Sequence, residues 1–192
     1  TEYKGYKFRS RLEARWAVTF DAMGLDWQYE LEGFHTNNDG WYLPDFYIAD
    51  FDTWFEVKPA KGKMAEDYVG GWVKSIEWAD WENKWDGFPH RLMIINGDPG
   101  EYEITMTETN AEDGDNGCCD HPYLFCICKD CGVWGAQFDG RAGRNNHKPD
   151  CANLQPKEGW ARDDKAYNHN DPRLLNALKK GRQARFEHGE KG

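Results

Sequence analysis

Leu43-Pro44-Asp45-Phe46 and, one short hairpin later, Phe55-Glu56-Val57-Lys58 decide how this chain is read. Both stretches are rich in aromatic and β-branched residues and read as strands. Side chains two apart on a strand share a face, so Trp54, Glu56 and Lys58 point the same way. With Ala49-Asp50-Phe51-Asp52 as the hairpin loop, Ile48 faces Thr53 and Asp45 lies opposite Glu56. Opposed residues of an antiparallel pair have Cβ atoms about 4.5–5.5 Å apart. Two carboxylates that close repel, and a neighbouring cation must offset them. Lys58 is one such cation. A divalent ion is a stronger one, because Mg²⁺ prefers oxygen ligands and keeps waters for chemistry. Such an ion polarises a phosphoryl oxygen and activates water, while Lys58 can orient that water or stabilise the developing charge.

Outward from this hairpin the chain reads as alternating elements. Ser10 to Met23 has Leu12, Trp16, Phe20 and Met23 at helical spacing, with Gly24 as a stop. Trp27 to Leu31 alternates as a strand. Trp41 to Ile48 reads as a second strand, although Pro44 implies an edge or a bulge. Thr53 to Lys58 is a third, closed by Pro59. Met64 to about Trp85 reads as a helix weakened by Gly70-Gly71. Arg91 to Asn96 and Glu101 to Thr107 are strands joined by a Gly97-Asp98-Pro99-Gly100 turn. The expected fold is α/β with a mixed sheet, in the order helix, three strands, helix, two strands. A polar acidic stretch follows, then a cysteine-bearing segment and a C-terminal helix from Asp171-Pro172 to about Phe186. The expected organisation is a core over residues 1–110, a linker over 111–117, a metal module over 118–155 and a tail with a basic helix over 156–192.

Pro44-Asp45 on one strand and Glu56-Val57-Lys58 on the next resemble the signature of the PD-(D/E)XK nuclease superfamily, whose core has the restriction-endonuclease-like fold. That family tends to place a glutamate on the helix before the sheet, and Glu13 stands there. The resemblance covers residues 5–107 and extends to small nucleases encoded by bacteriophages. It implies a Mg²⁺- or Mn²⁺-dependent deoxyribonuclease, with Asp45, Glu56 and Glu13 on the metal and Lys58 serving the water or the transition state. It also implies a phage-encoded protein at work in the host cell. The family often carries another polar active-site residue on the following helix, where Lys74 stands. Ser10-Arg11-Leu12-Glu13 is equally a capping box, in which Glu13 only satisfies a backbone N–H at the helix start. The rival to the enzyme is a catalytically silent binding protein on a nuclease-like fold, one that sequesters nucleic acid or a host protein.

All six cysteines lie between Cys118 and Cys151. Cys128-X-X-Cys131 and His147-X-X-X-Cys151, with fifteen residues between the two pairs, have the spacing of a zinc ribbon or finger. A structural Zn²⁺ on Cys128, Cys131, His147 and Cys151 is expected. Cys118, Cys119, His121 and Cys126 are alternative ligands. Gly132 after Cys131 suits the tight turn.

Net charge is −10, which argues against a protein that coats nucleic acid without specificity. The charge is uneven, with −13 over residues 1–117 and +3 over residues 118–192. Candidate phosphate contacts for DNA are Lys61 and Lys63 after the site, Arg141 and Arg144 in the cysteine segment, and Lys179, Lys180, Arg182 and Arg185 on the last helix. That helix has no acid between Pro172 and Phe186, and its Leu174, Leu175 and Leu178 can pack at the same time. No apolar run reaches the roughly 20 residues a membrane helix needs. With no signal-peptide pattern at the start, a cytoplasmic location is expected. A junction-resolving version of the enzyme would need a homodimer, and no residue pattern specifies one.

Overall fold

The computed structural model describes residues 1–35, 41–59, 91–107, 124–137, 148–151 and 167–186. Helix α1 (Arg11–Met23) starts where Ser10 Oγ accepts from Glu13 N at 3.1 Å. It stops at Gly24, whose φ of 74° is the left-handed turn that glycine adopts without strain. Ala14, Trp16, Ala17, Phe20 and Met23 are buried along one side of this helix.

Before α1, β1 (Glu2–Tyr3) and β2 (Tyr6–Lys7) form a small hairpin. After it come β3 (Trp27–Tyr29), β4 (Phe34–His35), β5 (Trp41–Tyr42), β6 (Phe46–Ile48), β7 (Thr53–Lys58), β8 (Arg91–Asp98) and β9 (Glu101–Thr107). Among the described residues the main sheet has five strands in the order β3-β6-β7-β8-β9. The β7–β8 pair is parallel and the others are antiparallel. The chain is thus a mixed α/β protein with a mixed sheet, as the element order implies.

The expected single strand from Trp41 to Ile48 is two. β5 pairs with β4 in a separate two-stranded sheet, while β6 joins the main one. Pro44 lacks the N–H a continuous ladder needs, and the chain changes sheets around it. β3 ends at Tyr29 rather than Leu31, because Glu30 takes a φ of 49°. The expected hairpin loop is a tight 3₁₀ turn at Ala49–Phe51, with Asp52 left-handed at φ 48°. β8 continues to Asp98, so the turn before β9 is shorter than expected. The expected helix over residues 64–85, Lys74 with it, lies outside the described residues.

Alternation along the strands separates the two faces of the sheet. Phe46, Ile48, Phe55, Val57, Met93, Ile95 and Ile104 pack with α1 in the main core. Trp54 and Ile94 form a second cluster with Phe34, Tyr42 and Tyr47. Burying each such side chain contributes roughly 1.5–3 kcal/mol.

The C-terminal segments share the main core. β10 (Leu124–Cys128) pairs with β11 (Trp134–Gln137) and β12 (Tyr167–Asn168). Phe125, Ile127, Ala136, Leu174, Ala177 and Leu178 belong to the same buried cluster as Trp16 and Phe55. Helix α2 (Pro172–Gln183) packs along α1. They pack tightly at Gly181, where a Cβ would lie 1.9 Å from Thr19 Oγ1 and 2.7 Å from the Arg15 carbonyl oxygen.

Gly181→Ala therefore has two opposed effects. Alanine favours a helix over glycine by about 1 kcal/mol. Overpacking against a fixed backbone oxygen costs about 1–3 kcal/mol. With a backbone oxygen only 2.7 Å away the cost lies in the upper part of that range, so a net loss of about 1–2 kcal/mol is expected in urea unfolding. A midpoint equal to that of the parent protein would contradict the close helix contact.

Candidate functional site

The β6–β7 ladder pairs Ile48 with Thr53, Tyr47 with Trp54 and Phe46 with Phe55. One step further out, Asp45 comes level with Glu56. Asp45 sits just before β6, where its carbonyl accepts from Glu30 N at 2.9 Å. Its side chain turns towards β7, and Oδ2 accepts from Val57 N at 2.8 Å. Asp45 and Glu56 are 3% and 5% exposed, which is very little for carboxylates.

Every oxygen of the pair has a protein donor. Arg9 Nη2 donates to Asp45 Oδ1 at 3.0 Å, and Arg9 Nε lies 2.7 Å from Glu30 Oε1. Lys58 Nζ donates to Glu56 Oε1, and the Tyr42 hydroxyl donates to Oε2 at 2.9 Å. Lys58 and Glu56 thus share a face, as strand alternation requires.

Glu13 is near but differently engaged. Its Oε2 accepts from the Tyr29 hydroxyl at 2.6 Å and from Arg9 N at 3.1 Å. This is helix-start capping displaced by one residue, since the donor is the N–H before the Ser10 cap. Among the described residues, Glu13, Asp45 and Glu56 do not form a group with ligand atoms within 4.8 Å of one another. The Glu13 charge still reaches Asp45 and acts on its proton.

Burial, and then the Glu56 charge, push the Asp45 carboxyl up to about 8. The Val57 N–H and Arg9 pull it down, and burial outweighs them. The Tyr42 hydroxyl is raised by burial and by Glu56, so it remains a donor. Tyr29 is raised by burial and by its bond to Glu13.

The second cluster is built from thiols. Cys128, at the end of β10, and Cys131 flank a tight turn in which Gly132 N donates to the Cys128 carbonyl at 2.9 Å. Gly132 adopts φ 75°, the left-handed conformation that suits glycine there. Cys151 closes the group, and the ligand atoms of Cys128, Cys131 and Cys151 all lie within 4.8 Å of one another. Cys128 Sγ and Cys151 Sγ are 3.7 Å apart. Three such thiols could hold a metal ion, and they suit zinc. Cys126 is buried beside them on β10. His147, the expected fourth ligand, lies outside the described residues, as do Cys118, Cys119 and His121.

Of the expected phosphate contacts, Lys179, Lys180, Arg182 and Arg185 are exposed, while α2 buries Leu174, Ala177, Leu178 and Gly181. Packing and an outward basic face coexist on this helix. Lys61, Lys63, Arg141 and Arg144 lie outside the described residues. Among the described residues no helix is long and apolar enough to cross a membrane.

Three side chains of the carboxylate site escaped the sequence reading. Arg9 precedes the helix cap, Tyr29 ends β3 and Tyr42 ends β5. Long-range contacts set their roles, and no spacing rule reaches that far. The only local signal was the run of chemistry-bearing residues from Arg9 to Glu13.

Fold and sites together define a mixed α/β protein with a buried carboxylate pair beside a half-buried lysine, and a three-thiol site able to take a metal. No family model matches the chain, and neither does any curated protein or solved structure.

Proposed function

We propose that the chain is a Mg²⁺-dependent deoxyribonuclease with a restriction-endonuclease-like core, as its resemblance to PD-(D/E)XK nucleases implies. The observation that carries this reading is the buried Asp45–Glu56 pair, with Lys58 on the face of Glu56. Burying two carboxylates side by side is costly unless they serve a cation. The donor set is all oxygen, which fits a hard divalent ion.

Asp45 and Glu56 would hold the ion, and Glu13, held by Tyr29 and the Arg9 N–H, would orient a ligand water. When bound, Mg²⁺ supplies Lewis acidity at the scissile phosphate. Tyr42 fixes the Glu56 carboxylate. Lys58, held at the edge of the site, orients the attacking water or stabilises charge on the phosphoryl oxygens. The exposed cations of α2 contact the DNA backbone. Zinc on Cys128, Cys131, Cys151 and His147 holds the C-terminal segment in place, and the enzyme works in the cytoplasm of a phage-infected host.

The test is incubation of linear, supercoiled and branched DNA with the protein in Mg²⁺, in Mn²⁺ and in EDTA. Cleavage in either metal and none in EDTA is expected. A specific observation favours the rival reading of a silent nuclease-fold binder. All four oxygens of Asp45 and Glu56 already have protein donors, so the cluster could be a self-satisfied ionic network. Tight DNA binding without cleavage in any metal would select that reading.

The proton on Asp45 makes metal binding pH-dependent. Its folded pKa of about 8 lies above the ordinary aspartate value of 3.8 that the unfolded chain has. Stability from this group is therefore full below about pH 4 and is lost as pH rises through about 8. A cation needs the proton removed. Mg²⁺ affinity should rise by up to about tenfold per pH unit until about pH 8 and then level. Calorimetry in buffers of different ionisation enthalpy should count about one proton released below that point. An affinity independent of pH would contradict this assignment.

A further inference from the structure

Arg9 has an arrangement that neither capping nor packing requires. Its guanidinium is bridged between Asp45 Oδ1 and Glu30 Oε1, yet the side chain is 56% exposed. Asp45 Oδ2 is tied to the Val57 N–H in the sheet. Oδ1 is therefore the oxygen that can turn to a cation, and it is the one Arg9 holds. An ion entering between Asp45 and Glu56 must take Oδ1 from the guanidinium. Glu30 keeps the displaced group close by, since its bond is to Nε and leaves the Nη donors available.

We infer that Arg9 is a metal-released phosphate clamp, guarding Asp45 Oδ1 in the metal-free protein and grasping a nucleic-acid backbone phosphate once a cation takes that oxygen. The inference rests on the proposed metal site at Asp45 and Glu56. Its chemistry follows from the guanidinium fork, which matches both carboxylate and phosphate oxygens. Before the ion arrives, Arg9 offsets part of the charge of Asp45 and Glu30. With the charge of Asp45 offset by a cation, the guanidinium would be held near the site by Glu30 alone, with its Nη donors open to a phosphate. Arg9 N remains bonded to Glu13 throughout, so the helix start anchors the moving side chain.

The experiment compares the parent protein with Arg9→Met, Arg9→Lys and Asp45→Asn. Mg²⁺ affinity is measured by calorimetry without DNA, at one pH for all four proteins. KM and kcat are measured on a DNA substrate, and thermal melting confirms folding. Arg9→Met should bind Mg²⁺ several-fold more tightly, because the competing cation is gone, while its KM for DNA rises about tenfold. Arg9→Lys should restore part of the KM, because a point charge still attracts phosphate but cannot fork. A merely structural arginine would lower the melting point and weaken the metal site instead. Unchanged or weaker Mg²⁺ binding in Arg9→Met, with Asp45→Asn still abolishing it, would overturn the clamp and leave the nuclease reading standing. Mg²⁺ binding that Asp45→Asn does not affect would overturn both.

Discussion

Asp45→Asn should reduce metal-dependent DNA cleavage to background, and Lys58→Ala should lower kcat by about 10²–10³-fold with little change in KM. The two substitutions fail for different reasons. Asparagine keeps the shape of Asp45 and one acceptor oxygen, so Val57 N keeps its partner, but the charge that would hold the cation is gone. Alanine at Lys58 leaves the carboxylates in place and removes the donor proposed to act where charge develops in the transition state. Folding separates these effects from collapse of the site. At about pH 9 the Asp45 carboxylate is ionised in a buried place beside Glu56, and Asn removes that repulsion. Metal-free Asp45→Asn should therefore melt at or above the temperature of the parent protein, with activity lost, a familiar trade between stability and function. Retention of cleavage in Asp45→Asn would remove this carboxylate from the proposed machinery.

Stripping the metal from the thiol cluster should have the second large effect. The purified chain is expected to carry about one zinc ion, and Cys128→Ser should lose it. Zinc binding in isolated finger peptides is worth about 10–16 kcal/mol. The effect here is smaller, because β10 is also held by the core. Phe125 is fully buried among Trp16, Phe20 and Phe55, and its N–H donates to the Tyr102 hydroxyl at 3.1 Å. Loosening the end of that strand nonetheless reaches the main core. A loss of about 4 kcal/mol, or about 10 °C in melting temperature, is expected on chelation. A zinc-free protein that melts with the parent would show that the thiols serve no structural metal.

Local patterns were legible in the sequence where one physical rule decided them. Helical spacing from Leu12 to Met23, a Ser cap and a stopping Gly gave α1 to within a residue. Thr53–Lys58 and Glu101–Thr107 were read with their observed limits, because each alternates and is closed by turn residues. The pairing of Ile48 with Thr53 followed from the hairpin length, and with it the approach of Asp45 to Glu56. The parallel β7–β8 pair, by contrast, joins segments more than thirty residues apart, and no local pattern states which strands will be neighbours.

The same limit explains what was missed. Pro44 was recognised as a disturbance, but a proline does not say that the chain will leave one sheet for another. The buried cluster joins Phe55 to Phe125 and Leu174, contacts that composition does not state. Nothing local to Gly181 states that Thr19 and Arg15 lie against it. Arg9 and Tyr42 are ordinary residues in the sequence, and only the fold brings them to Asp45 and Glu56.

The central claim is that Asp45 and Glu56 form a divalent-cation site, and Mn²⁺ binding followed by electron paramagnetic resonance tests it most directly. Titrations of the parent protein, Asp45→Asn and Glu56→Gln would be compared near pH 8. A bound Mn²⁺ signal in the parent protein that both variants lose is the predicted result. Mn²⁺ binding of equal strength in all three, or in none, would contradict it.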